Sequence, residues 1–568
     1  MKSLHKRITT LQGEYVQNFE RTRVRLFAVM TFFALAFIII GFRLIILMGP
    51  NAFHDGTPKA SAILSSTEAA PRRGNITDAN GITLATSLAT RSLYADPKYV
   101  NDAAVLAQEL TDVFSDLDYD DLYTDLTKDR RFIWIKRHLT PKQQAKVLKI
   151  GDPALALQTE YRRVYPQGSL TAHITGYTNT DGLGIAGIEK EYEKALLKGG
   201  SDLQLTIDTR LQYLLKTEIL KSIREYKAIG GSGIVMDVRD GEILAMVSLP
   251  DFDPHRYNTA SENAKFNRNT VGVYEMGSTF KLFSTAAALE NNTADLSDMY
   301  DVSKPLKVSR FLIRDFHRIK RPISLTEVFV HSSNIGTALM AEELGTKKLK
   351  DFYRDLGFFS RAEIDIPERG MPIIPGRWRD VTTLTASYGH GIAVSPMHVV
   401  RATAAMVNGG TLPDPHFVKI KGTHEKPKLS IISPQISARL RGLMTLAVEE
   451  GTGSKVKQDH IWVGGKTGTA EKVTERGYTE DKLFSSFVGV FPSNAPRYVI
   501  LVAIDEPKGT KDSFGYATGG WTSAPVVSKV IEYMAPMMQE TRHLTKTGFP
   551  ELEALRKYIK EDEDHAAF

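Results

Sequence analysis

The sequence predicts an α+β protein: a single N-terminal transmembrane helix, an elongated α+β domain, and a larger domain built on a mixed or antiparallel sheet covered by helices. Three observations point there. One long uncharged apolar run lies near the start, tight turns join alternating strand patterns in both later parts, and strand patterns stand at both ends of the last large segment with helical patterns between them.

Taken in order, residues 1–25 carry Lys2, Lys6, Arg7, Arg21, Arg23 and Arg25 against Glu14 and Glu20. That bias places the N-terminus in the cytoplasm. Residues 26–42 run without a charge and the run resumes past Arg43, so 26–48 is long enough to span a bilayer. The stretch Leu47-Met48-Gly49-Pro50-Asn51 offers no convincing small-residue cleavage site, which predicts a retained anchor and an exported remainder. The chain has no cysteine, so its exported part is held by hydrophobic cores rather than disulfides, and 42% hydrophobic content is ample for them. A net charge of +6 spread over 568 residues without a Lys/Arg block speaks against nucleic-acid binding.

Residues 49–70 are Ala/Ser/Thr-rich and read as a linker, and a non-catalytic domain is expected over 71–204. It opens with a turn at Asn80-Gly81 between alternating apolar positions, a hairpin signal. Gly182, Gly184 and Gly187 match the dinucleotide-binding pattern G-x-G-x-x-G, but Thr178-Asn179-Thr180-Asp181 before them is polar and turn-like, whereas a dinucleotide loop follows a buried strand. They are read as a structural turn, and neither cofactor nor metal is expected. The next domain, 205–540, starts with Asp208 or Thr209 capping a helix that runs to Tyr226. Strands are expected over 233–238, 242–248, 484–491 and 498–505, with a closing helix over 522–534. Residues 541–568 are polar and charged and read as a solvated tail.

The chemistry lies in three short motifs: Ser278-Thr279-Phe280-Lys281, then Ser332-Ser333-Asn334, then Lys466-Thr467-Gly468 with Thr469. Each is cheap alone, since S-x-x-K recurs at Ser3/Lys6 and Ser454/Lys457, S-x-N at Ser261/Asn263 and K-T-G at Lys546-Thr547-Gly548. Only the set Ser278, Ser332, Lys466 has the order and spacing of a serine acyl-transfer site, roughly fifty residues and then well over a hundred. An alcohol nucleophile needs a base in reach, a proton path to the leaving amine and donors for the oxyanion. Gly277 and the apolar run behind Ser278 predict a helix starting at the nucleophile, which puts Lys281 at i+3 on the same face. Ser332 is the candidate proton shuttle on a loop between helices, with the Asn334 carboxamide free to meet a substrate amide. Glycines flank Lys466-Thr467, so substrate can approach a strand edge, where Thr467 and Thr469 hydroxyls with the Lys466 charge suit a carboxylate. The amides of Ser278 and Thr469 are the natural oxyanion donors.

These motifs, with Arg73-Gly74, Tyr165-Pro166, Gly187-Ile188-Glu189, Asn267-Arg268 and Ser387-Tyr388-Gly389-His390-Gly391, resemble the class B penicillin-binding proteins, the membrane-anchored peptidoglycan D,D-transpeptidases. Gly176 to Asp181 with Gly184 is most similar to the cell-division branch, the FtsI type. The resemblance implies a pedestal at 71–204 and a serine β-lactamase-like transpeptidase domain at 205–540. It implies Ser278 as nucleophile, Lys281 as base, acyl exchange between stem peptides during septal wall synthesis, and acylation by β-lactams. A SEDS-type glycosyltransferase in the inner membrane and other division proteins are the implied partners. Met276, Ala79 and the run Tyr516-Ala517-Thr518-Gly519-Gly520 depart from the common pattern. The same fold also serves elongation enzymes and D,D-carboxypeptidases, and a catalytically silent scaffold is the reading of a different class.

Overall fold

One long strand organises the part of the chain from residue 72 to about 204, and one buried sheet organises the part after it. The computed structural model describes residues 27–43, 72–198, 201–308, 311–419, 429–474, 477–538 and 546–560. The chain divides into two units, 1–68 and 69–568. In the first unit, residues 27–43 form one helix whose side chains are mostly exposed, Phe32 at 70% and Phe37 at 71%. Among the described residues no helix is long and apolar enough to cross a membrane. The remainder of the expected 26–48 span, the segment 1–25 and the linker 49–70 lie outside the described residues.

In the second unit, β1 (Ile76–Thr77) pairs antiparallel with β2 (Thr83–Ala95), and the expected turn joins them. The Asp78 carboxylate accepts from the amides of Asn80 and Ile82, which is why the turn closes there. β2 also pairs with β3 (Ile133–Leu139) and β4 (Leu155–Val164), both antiparallel. Its alternation sends Leu93 and Ala95 into a core with Leu106 and Leu110 of the helix Ala103–Val113 and Phe114 at that helix's C-terminal cap. β5 (Leu203–Gln204) runs parallel to β1 and leads into the next domain.

The glycine run is a packing device. Gly176 and Gly187 have positive φ and press together: a Cβ on Gly187 would lie 2.5 Å from the Gly176 nitrogen. That close approach delivers Glu189, fully buried, between Arg73 at 2.5 Å and Arg163 at 2.6 Å. Two guanidiniums on one buried carboxylate tie the start of the domain to its end.

β6 (Gly230–Asp237), β7 (Ile243–Leu249), two short ribbons, and β12–β14 follow. β8 (Met299–Asp301) pairs with β11 (Pro322–Ser324), and between them β9 (Leu306–Val308) pairs with β10 (Phe311–Ile313). β12 (Gly464–Thr474), β13 (Gly477–Phe491) and β14 (Tyr498–Asp505) complete a sheet of order β12-β13-β14-β6-β7, antiparallel throughout. Both faces are covered, so β6 and β14 are buried at every residue, and β14 reads as an almost continuous apolar run from Tyr498 to Ile504. Alternation sorts them: Val235, Ile500 and Val502 meet the helices Thr209–Glu225 and Ala524–Met537, while Ile234, Met236 and Leu501 meet a core containing the helix Phe280–Glu290. Asp208 caps the first of these helices, as its position predicts.

The end of the chain corrects the sequence reading. Residues 546–560 are not a solvated tail: Phe549, Leu552 and Leu555 are buried, and Pro550–Arg556 is a helix packed beside the helix Pro434–Glu449. Three apolar residues at a period of three within polar company give it an amphipathic face. Residues 541–545 and 561–568 lie outside the described residues.

Candidate active site

Ser278 sits in a 3-10 turn, Gly277–Thr279, that leads directly into the helix Phe280–Glu290. The turn needs glycine: Gly277 has φ +54°, and a Cβ there would lie 2.5 Å from the carbonyl oxygen of Thr469. Gly389, φ +85°, presses from the other side, where a Cβ would lie 2.2 Å from the Gly277 oxygen. The two glycines therefore bring the backbone at the nucleophile against the K-T-G strand and the Tyr388–Gly391 loop. Ser278 itself is half-buried, and among the described residues no side-chain group is hydrogen-bonded to its Oγ.

Lys281, one turn on, is fully buried. Its Nζ donates to the Ser332 carbonyl, to Ser332 Oγ at 3.1 Å and to Asn334 Oδ1 at 2.8 Å. The expected contact with Ser278 Oγ is not formed in this state; such bonds commonly tighten only when substrate is bound. Burial, and then the charge of Lys466, push the Lys281 amine well below its ordinary range, opposed by Asp315.

Ser332 occupies the expected loop, between the helices Leu325–Val330 and Asn334–Leu344, with φ +60°. A left-handed serine is held only where its surroundings over-determine it. Here they do: Lys466 Nζ reaches Ser332 Oγ at 2.8 Å, so the hydroxyl oxygen lies between two lysines. With both lone pairs engaged, its proton is left to point elsewhere. Lys466 is as buried as Lys281, and burial lowers its pKa to about 7.

Asn334 is oriented by the protein. Its Oδ1 takes Lys281 and its Nδ2 donates to the Arg314 carbonyl at 3.0 Å, so the carboxamide is anchored on both ends within the protein. Beyond these bonds it still has a lone pair on Oδ1 and an N–H on Nδ2 to offer. Thr467 Oγ1 pairs with the Thr452 hydroxyl at 2.9 Å, and Thr469 Oγ1 accepts from the Gly519 amide at 3.1 Å. Gly468 lies where a Cβ would meet Met276 and Thr279, so its lack of side chain lets the strand seat against the nucleophile turn. Every site residue named from the sequence is thus brought to one cleft, between the helix Phe280–Glu290, the Ser332 loop and the β12 edge.

Three further residues take part that sequence reasoning did not find. Asp315, just after β10, accepts from Ser333 Oγ at 2.7 Å and from the amides of Asn334 and Ile335 at 2.5 and 3.0 Å. It helps cap the helix that carries Asn334, and its charge favours the ammonium form of Lys281. Thr452 and Gly519 are the others. None carries a local motif; each is identified only by where a loop returns.

Two domain models match the chain, the penicillin-binding protein transpeptidase domain over residues 231–532 and the penicillin-binding protein dimerisation domain over 68–204. The chain belongs to the penicillin-binding protein transpeptidase family. The dimerisation and transpeptidase domains in this order are the class B arrangement. Among its relatives, the probable peptidoglycan D,D-transpeptidase FtsI of Caulobacter vibrioides is 34% identical, over 91% of this chain and 89% of that one. The peptidoglycan D,D-transpeptidase FtsI of Escherichia coli K12 is 29% identical over 81% and 82%. Among solved structures, penicillin-binding protein 3 from Mycobacterium tuberculosis complexed with aztreonam has the same fold, at TM-score 0.66 and 20% identity over 85% and 98%. The α+β architecture of this class B penicillin-binding protein is that of its family, and residues 68–204 match the dimerisation domain.

Proposed function

We propose that this penicillin-binding protein is a peptidoglycan D,D-transpeptidase acting through an acyl-enzyme on Ser278. One observation carries the reading: two fully buried lysines converge on a single hydroxyl, Ser332 Oγ, one turn and one strand away from a serine whose Oγ has no side-chain hydrogen bond among the described residues. Two ammonium ions that close in a dry site repel, so burial and the charge of Lys466 lower the hold of Lys281 on its proton and ease its conversion to the free amine. A neutral amine is a base.

In the proposed reaction Lys281 takes the Ser278 proton as Oγ bonds to the carbonyl carbon of the penultimate D-Ala. The oxyanion faces the amides of Ser278 and Thr469. Ser332 donates its proton to the departing D-Ala nitrogen and recovers one from Lys281, while Lys466 holds its oxygen. The C–N bond breaks, leaving the Ser278 ester. An amine of a second stem peptide then attacks that ester by the reverse proton route, forming the cross-link and restoring Ser278. Asn334 orients Lys281, and Lys466, Thr467 and Thr469 receive the terminal carboxylate. A β-lactam follows the first half of this path, its ring nitrogen staying tethered.

The wider assignment belongs to the same reading: pedestal 71–204, catalytic domain 205–540, and a retained helix across 26–48 that leaves the catalytic domain in the periplasm. The similarity to proteins named FtsI supports a division role beside a SEDS-type glycosyltransferase and other division proteins. Incubating the full-length protein with a fluorescent penicillin, then repeating with Ser278→Ala, tests the chemistry. Covalent label lost in the variant is expected; no label on the wild type, or undiminished label on the variant, overturns it.

A further inference from the structure

The C-terminal segment 546–560 touches the supports of both walls of the cleft. On one side, Thr547 O accepts from Trp462 Nε1 at 2.7 Å, and Lys546 Nζ lies 4.2 Å from the Trp462 ring and 3.1 Å from Glu449. Trp462 lies two residues before the strand that carries Lys466. On the other side, Tyr558 O accepts from Ser324 Oγ at 2.9 Å, and the Lys560 amide donates to Glu327 at 3.3 Å. Ser324 and Glu327 are the capping box of the helix Leu325–Val330, which ends at the Ser332 loop. Between these contacts Leu552 and Leu555 are buried against the helix Pro434–Glu449; a Cβ on Gly442 of that helix would lie 2.9 Å from Leu555. The approach is closed by a glycine, as in a seated core contact rather than a loosely lying tail.

We propose that residues 546–560 are a positioning strap that holds the S-x-N wall and the K-T-G wall in register. The quantity it sets is the Lys466 Nζ to Ser332 Oγ contact of 2.8 Å. Those two side chains come from elements far apart in sequence, and the strap is covalent to neither wall yet bonded to the base of each. A misplacement on the order of 1 Å at a catalytic contact costs about 100-fold in rate. The strap acts through Ser324 and Trp462 and meets no substrate. This inference rests on the acyl-enzyme reading above.

The test uses full-length protein and four forms: unaltered, stopped after Lys560, stopped after Thr545, and the double variant Leu552→Ala, Leu555→Ala. The second-order acylation rate with fluorescent penicillin is measured well below each form's melting temperature, with the fold checked by circular dichroism. The strap predicts a fall of about tenfold or more for the Thr545 stop and the double variant, ~1.4 kcal/mol or more in activation free energy. It predicts an unchanged rate for the Lys560 stop, and recovery of the Thr545 stop on adding a synthetic peptide of residues 546–560. Loss of a segment that only adds stability would lower the melting temperature and leave the rate of the folded protein alone, which overturns the proposal. If the Thr545 stop does not fold, the double variant decides. Absence of label on the unaltered chain overturns the acyl-enzyme reading and the strap with it, whereas equal rates across labelled forms overturn the strap alone.

Discussion

Replacing Lys466 with methionine is expected to stabilise the fold at neutral pH while nearly abolishing acylation. Burial lowers this amine from 10.5 to about 7. At ~1.4 kcal/mol per tenfold change in proton affinity, holding it in the fold costs roughly 5 kcal/mol below pH 7. The sign follows from the proton count. Between about 7 and 10.5 the unfolded chain binds the proton and the folded chain does not, so stability rises with pH across that window, and the penalty is gone above 10.5. Methionine keeps the length and removes the charge, but Ser332 Oγ loses one donor, worth about 1 kcal/mol. The net gain at pH 6 is therefore about 3–4 kcal/mol, read as a shift in the urea midpoint. Measured again at pH 10.5, the variant and the unaltered protein should differ by little more than the lost hydrogen bond. A Lys466→Met protein that is less stable at pH 6, or whose advantage does not shrink as pH rises, refutes the reasoning.

Three other outcomes follow from the same geometry. The acylation rate should rise with pH along a limb that lies well below the ordinary lysine range, because Lys281 must shed its proton and burial and Lys466 help it to; a limb near 10.5 in a stopped-flow profile contradicts this. Asp315→Asn weakens the cap on the helix Asn334–Leu344, whose amides meet the carboxylate at 2.5 and 3.0 Å. A loss of about 1 kcal/mol in thermal unfolding is expected, with a larger proportional loss of acylation. Gly389→Ala drives a methyl into the Gly277 carbonyl from 2.2 Å; acylation should fall more than about tenfold, and a rate near wild type would show that the Gly277 turn is not held from that side.

Much of this was legible because the features are local and repeated. The helix at Ser278 shows in the glycine before it and the apolar run behind it. The β12 edge shows in glycines flanking Lys466, and β14 with the apolar parts of β6 and β13 shows as strand because two layers of helices bury both faces. What the sequence hid depends on where loops return. Asp315 is one aspartate among many until the β9–β10 ribbon folds it onto the Asn334 helix. The orientation of Asn334, with its carboxamide bonded to Lys281 and to the Arg314 carbonyl, depends on that same ribbon. The C-terminal strap was masked differently: Phe549, Leu552 and Leu555 have helical spacing, but charged neighbours dominate the average of so short a stretch.

The central claim is that Ser278 becomes an ester, and mass spectrometry of the penicillin-treated protein tests it most directly. Trypsin releases residues 269–281, which contain Ser278 and end at Lys281. The account predicts one penicilloyl group per protein, on this peptide, with fragment ions placing it on Ser278 rather than the buried neighbour Thr279, and none in Ser278→Ala. An unmodified peptide, or an adduct at Ser332 or elsewhere, contradicts it.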